Sequence, residues 1–138
     1  GPGLVRLYRG VCAQRGAEAS AVTGETVSEH AEAGDEAAII AMRLFCTYLG
    51  RYTGDLALAF LAHGGVFIAG GIAAKMLPGI VEPRFRAEFD DKAPHTAIMK
   101  KIPLHVMTHP TAALAGLSAC VREPDRFSLE GATLRFGA

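Results

Sequence analysis

The chain lacks any surplus of charge: 14 lysines and arginines meet 14 aspartates and glutamates, for a formal net charge of zero. That removes the basic face on which nucleic-acid binders rely. Cysteine is scarce too. Cys12, Cys46 and Cys120 are odd in number and far apart, which fits neither a disulfide framework nor metal-ligand spacing. Read as reduced, buried small hydrophobes, they point to the cytoplasm. Long apolar runs are missing, because Arg43, Arg51 and Asp55 interrupt the richest stretch, so no membrane span is expected. The N-terminus has neither the basic nor the apolar region of a signal peptide. It opens on Gly1 rather than Met, so further residues upstream are expected. Neither a Gly-x-x-x-x-Gly-Lys-Ser/Thr phosphate loop nor a Gly-x-Ser-x-Gly nucleophile elbow is present, which excludes P-loop and serine-hydrolase chemistry.

What is there is foldable. Half of the 138 residues are hydrophobic, enough for one domain with a real core. Its most informative stretch is His63-Gly64-Gly65-Val66-Phe67-Ile68-Ala69-Gly70-Gly71-Ile72, a short apolar run between two Gly-Gly pairs. The run Val66–Ala69 is too short for a helix and rich in β-formers, so it predicts a buried strand. At Gly70-Gly71 the backbone is stripped of side chains where a helix begins. A ligand can approach such a main chain closely, and its amides can face an anion or a sugar. The same pair also serves as a tight strand-to-helix turn with no ligand.

Around that stretch the pattern is mostly helical. Leu4–Arg15 has apolar residues at helical spacing and Gly16 as its stop. Thr26-Val27-Ser28-Glu29 reads as a capping box that opens a helix ending at Gly34. Asp35 and Glu36 open the longest helix, to about Ala62, apolar on most of its circumference. Arg43, Thr47, Arg51 and Asp55 trace one stripe on it, read as solvated with an Arg51–Asp55 pair. Ile72–Leu77 is a short helix stopped by Pro78-Gly79. Pro83 and Pro94 punctuate short helical pieces, Leu104–Thr108 is a second strand, and Thr111–Val121 is a last helix after Pro110. Ser128–Phe136 alternates around Glu130-Gly131 as a small hairpin or a loosely held end. Strands separated by helical crossovers predict an α/β fold with a parallel sheet.

Catalytic or metal-binding constellations are not evident. His105 and His109 lie on or beside a strand, where four residues span about 13 Å, too far for one metal. His30, His63 and His95 read as helix-surface or helix-end residues. Asp90-Asp91 reads as a turn or a cap.

The residues that remain distinctive do so together. Gly1-Pro2-Gly3-Leu4 with Leu7-Tyr8, Leu44-Phe45-Cys46, Leu49-Gly50-Arg51, Gly54-Asp55-Leu56-Ala57-Leu58 and the Gly64–Ile72 segment occur in order. They are followed by Phe85-Arg86, Phe89, Asp91-Lys92, Ile102-Pro103 and Thr108-His109-Pro110. Over residues 1–121 the chain resembles the C-terminal portion of the large domain of a bacterial-type glucokinase, an ATP-dependent hexose kinase of the actin-like ATPase superfamily. Ala93 and Ala112-Ala113 depart from that family's pattern, and residues 122–138 form a tail with no counterpart. The resemblance implies part of an actin-like, ribonuclease H-like large lobe, with few strands and several helices. It implies transfer of the ATP γ-phosphate to the 6-hydroxyl of glucose, with Mg, in the cytoplasm and in glycolysis, by a homodimer with no nucleic acid or membrane as partner. It places Gly70, Gly71, Ile72 and Gly3 on the adenosine side of the ATP site. The phosphate loops, the catalytic aspartate and the sugar ligands it places outside this chain. No catalytic residue and no metal ligand is therefore expected here, and the isolated chain is expected to be inactive. A kinase-like sugar- or nucleotide-sensing module of a transcriptional regulator is the competing expectation, since fold alone does not separate the two.

Overall fold

A computed structural model describes residues 2–21 and 23–123, the side chain of Ile72 aside. The chain divides into two compact units, Gly1–Met107 and Thr108–Ala138. The tail expected to form a hairpin over 128–136 lies outside the described residues.

The first unit begins with α1 (Pro2–Gln14), which buries Leu4, Val5, Tyr8, Val11 and Cys12 along one side, the spacing expected of an amphipathic helix. Pro2 suits the first turn, where a missing N–H costs nothing. The helix ends near Gly16, whose φ of 66° only glycine adopts freely. Helix α2 (Gly24–Glu32) starts before the expected box. Thr23 is its N-cap: its hydroxyl accepts from the Thr26 amide at 3.1 Å, and the Thr23 amide donates to the Thr26 hydroxyl at 3.0 Å. A threonine hydroxyl closes the box as well as the expected carboxylate does. That shift draws Gly24 and Glu25 into the first turn.

Helix α3 (Glu36–Ala59) is capped by the Asp35 carboxylate, which accepts from the amides of Ala37 and Ala38 at 2.9 and 3.4 Å. Its polar stripe is solvated at Arg43, Arg51 and Asp55, all exposed, but not at Thr47, and its pairing is not the expected one. Thr47 is buried, Arg51 donates to Glu88 at 2.5 Å, and Lys92 pairs with Asp55 at 3.1 Å. The expected Arg51–Asp55 pair is replaced by two bridges to α6 (Pro83–Asp90) and its C-terminal flank, because α6 lies directly on α3 at Gly50 and Gly54. The burial of α3 is likewise narrower than expected: Tyr48, Tyr52, Leu56 and Phe60, four residues apart, remain exposed.

Strands β1 (Val66–Ile68) and β2 (Leu104–Val106) pair in parallel with Val66 opposite Leu104 and Ile68 opposite Val106. Both are shorter than expected, and β1 is not the buried strand expected: Ile68 is buried, Val66 is half-buried and Phe67 is exposed. Between them lie α4 (Gly71–Lys75), α5 (Leu77–Ile80), α6 and α7 (Thr96–Met99). Pro78 does not end a helix; it sits in the first turn of α5, where proline is tolerated. One apolar core joins α1, α2, α3 and α5 to Phe85, and a second gathers Ala57, Phe89, Met99 and Ile102. These observations establish an α/β chain of mostly helices with a small parallel sheet.

The second unit contains α8 (Ala112–Arg122). It begins one residue later than expected, after Thr111, whose amide donates to His109 Nδ1 at 3.2 Å.

Candidate functional site

Strand β1 delivers its chain directly to the two glycines. Ile68 is buried, Gly70 turns with φ at 98°, and the Ala73 amide closes the turn on the Gly70 carbonyl at 3.0 Å. A Cβ built on Gly70, on Gly71 or on Gly3 would meet nothing within 4 Å. Packing therefore does not demand glycine at Gly71. What stands in front of that backbone is space.

The space is a cavity of about 340 Å³, lined by Leu4, Gly24, Glu25, Ser28, Phe45, Gly71, Lys75 and Met76. Four elements meet there: α1 contributes Leu4, the first turns of α2 contribute Gly24, Glu25 and Ser28, α3 contributes Phe45, and α4 contributes Gly71 and Lys75. Its size is that of a site for one small molecule. Leu4, Phe45 and Met76 give it apolar walls suited to a flat ring. Ser28 turns its hydroxyl proton onto the Gly24 carbonyl at 3.1 Å, leaving its lone pairs to accept.

Charge enters through an ion pair. Lys75 donates to the Glu25 carboxylate, tying the end of α4 to the start of α2. The hydrogen bond from Lys75, and then its charge, hold the Glu25 carboxyl below the usual carboxylate range, against a small opposing effect of burial. Both side chains are at least half exposed, so the pair is worth little to stability. Its interest is its place on the cavity wall.

The four residues expected on the adenosine side do not all reach this cavity. Gly71 lines it and Gly70 immediately precedes it. Gly3 does not line it, but Leu4, its neighbour on α1, does. Ile72 lies in α4, with its side chain outside the described residues. Sequence reading missed Glu25, Ser28, Phe45 and Lys75. Lys75 follows Gly71 by four residues, one helical turn, and was within reach of that reading. The others converge only through long-range packing.

His105 and His30 are engaged elsewhere. His105 stacks on Phe67 with ring centroids 4.8 Å apart. His30 is no simple surface residue of a polar helix: its Nδ1 lies 3.6 Å from Asp35 and its ring meets Tyr8 edge-on. Asp90 pairs with Arg86, and Asp91 caps the C-terminus of α6.

Comparison with known proteins adds three findings. The profile of the family described as Glucokinase matches residues 1–124. The chain is 49% identical over 130 residues to a glucokinase of Rhizobium johnstonii and 51% identical over 130 residues to one of Rhizobium meliloti, covering 94% of this chain and 38% of each relative. It is similar to the crystal structure of a glucokinase from an Antarctic psychrotroph, with a TM-score of 0.78 and 34% identity, over 89% of this chain and 38% of that one. The chain thus spans somewhat over a third of the length of the relatives it matches.

Proposed function

The chain belongs to the glucokinase family, and from that premise we propose that it is the adenosine-side wall of an enzyme that moves the γ-phosphate of ATP to the 6-hydroxyl of glucose. The observation that carries this reading is the open backbone of Gly71 on a cavity whose other walls are the apolar side chains of Leu4, Phe45 and Met76. A nucleoside fits such a place: its base lies on apolar walls while its sugar passes close to a main chain without side chains. Gly70 supplies the turn, Gly71 and Ile72 the backbone, and Gly3 the start of the helix that presents Leu4. Glu25 and Lys75 close the rim between α2 and α4.

In this reading the surrounding lobe is of the actin-like ATPase class, residues 1–121 are one portion of it, and residues 122–138 are an appended tail. The chain's own residues bind and orient the nucleoside and keep water from one side of it. ATP brings the phosphoryl group, and Mg neutralises its charge when bound. The metal is assigned to ligands outside this chain, with the phosphate loops. The base that takes the proton of the attacking hydroxyl is assigned there also, which leaves the isolated chain inactive. The cytoplasm as location and the homodimer as assembly belong to the same proposal. Among the described residues no helix is long and apolar enough to cross a membrane.

The test is an amide NMR titration of the chain with Mg-ATP, run beside a glucose phosphorylation assay. Expected are shifts centred on Gly70, Gly71, Ile72 and Lys75, with no turnover. Shifts elsewhere on a well-dispersed spectrum would overturn the adenosine assignment, and turnover by the pure chain would overturn the assignment of the base.

A further inference from the structure

We propose that a second cavity, enclosed by α2, α3, α5 and the start of α6, is a binding site for a small zwitterion with an apolar body, the chemistry of an apolar α-amino acid. The cavity measures about 490 Å³ and meets the first only at a shared wall, Lys75 and Met76. Nothing in the glucose kinase reading uses it.

Its floor and its rim differ in kind. The floor is apolar and largely buried: Cys46, Met76 and Phe85 are closed off from solvent and Met42 is half-buried. Two thioethers there can rearrange around guests of different outline. The wall is shut beneath them, since a Cβ on Gly79 would stand 2.6 Å from Cys46 Sγ. The rim carries three cations, Arg43, Lys75 and Arg84, and two anions, Glu32 and Glu82, all exposed; of these Lys75 is already held by Glu25.

Apart from Lys75, these charges are sparsely paired among the described residues. Arg43, Glu32 and Glu82 form no ion pair among the described residues. Arg84 lies 3.9 Å from Glu88, but that carboxylate already accepts from Arg51 at 2.5 Å. Burial, and after it the charge of Glu82, raise the Cys46 thiol.

A guest with only an apolar body would leave both signs of charge unused. An anion alone would meet Glu32 and Glu82, and a cation alone would meet the arginines and Lys75, so each is opposed by part of the rim. A zwitterion satisfies both: its carboxylate takes the planar guanidinium donors, its ammonium takes the glutamates, and its side chain covers the floor. Burial of that side chain supplies most of the affinity, because the charged groups are exposed.

The test uses three probes that share one apolar body: L-phenylalanine, 3-phenylpropionate and phenethylamine. Each is titrated into the full chain while the methyl resonances of Met42 and Met76 are followed. L-phenylalanine is expected to shift them with a millimolar or tighter dissociation constant, about fivefold or more below that of either singly charged probe. Arg43→Met and Glu82→Gln should each raise the L-phenylalanine constant by about fivefold, while the rest of the spectrum stays in place. Binding of a singly charged probe as tightly as the zwitterion, or unmoved methyls in a well-dispersed spectrum, would overturn the proposal. Should either variant fail to fold, the wild-type chain still decides. No nucleotide enters these assays, so their failure and that of the adenosine reading are distinguishable.

Discussion

Gly54 sets how close α3 comes to α6. A Cβ at this position would lie 2.5 Å from the Phe89 carbonyl oxygen and 2.9 Å from Lys92 Cε, and one at Gly50 would lie 2.9 Å from the Phe85 carbonyl oxygen. Backbone cannot yield as a flexible side chain can. Gly54→Ala is therefore expected to destabilise the chain by about 1–2 kcal/mol in urea unfolding, overpacking outweighing the gain in helix propensity. Gly10 in α1 is the control, since a Cβ there meets nothing within 4 Å, and Gly10→Ala should be neutral or stabilising by up to about 1 kcal/mol. Equal effects at the two positions would show that the α3–α6 approach is not what holds glycine at 54. At this scale the sequence displays the residues but not their partners. The stripe through Arg43, Thr47, Arg51 and Asp55 is plain from its spacing. That Glu88 and Lys92 answer it, some 37 residues on, depends on where α6 comes to lie. The Gly70-Gly71 turn was legible for the opposite reason, because it is local: a stretch without side chains between a strand and a helix.

At the scale of elements, α6 is fastened to the entry of β2 by one side chain. Arg86 donates to the carbonyls of Ile102 at 2.9 Å and Met99 at 2.7 Å, bonds Asp90 at 3.0 Å, and lies over the Phe89 ring at 5.0 Å. Met99 and Ile102 are both fully buried. Arg86→Leu would keep apolar volume but strand two carbonyls and one carboxylate, and should cost about 2–4 kcal/mol, with Arg86→Lys costing less. Thermal unfolding checks the order. A leucine variant as stable as the parent would mean that water replaces these bonds without loss. Elements themselves were read well where a local signal exists: Asp35 capping α3, Gly16 ending α1, and the β-formers of Val66–Ile68. They were misread where two local rules compete. Pro78 looked like a stop, yet it occupies the first turn of a new helix, and Thr26 looked like a cap, yet it closes a box begun at Thr23. The cavity beside Gly71 needs four elements at once, and no window of sequence contains them.

At the scale of the whole first unit, α1, α2 and α3 meet in one polar cluster beneath their apolar contacts. The Tyr8 hydroxyl donates to Asp35 at 2.9 Å, His30 lies 3.6 Å from the same carboxylate, and Asp35 also caps α3. Burial alone would lift the Asp35 carboxyl. The Tyr8 hydroxyl, the amides of Ala37 and Ala38, and His30 together outweigh it and hold the group below its ordinary value. The sign of the linkage follows: a carboxyl depressed in the folded state adds stability above its unfolded pKa, near 3.9, and loses it as pH falls through the folded value. Stability should therefore be level in this respect at neutral pH and decline on the acid side of the ordinary aspartate range. Asp35→Asn separates this effect from acid unfolding in general, because asparagine still caps a helix. At pH 7 the variant should be less stable by about 1 kcal/mol, for want of a charged acceptor to Tyr8. The difference should shrink toward zero as the wild-type carboxyl protonates, so that the two urea midpoints converge in acid. Midpoints that stay parallel down to the lowest pH at which the chain folds would mean that Asp35 acts only as a cap. The joint between α1, α2 and α3, and with it the setting of Leu4, Glu25 and Phe45 around their cavity, would then be held by apolar packing alone.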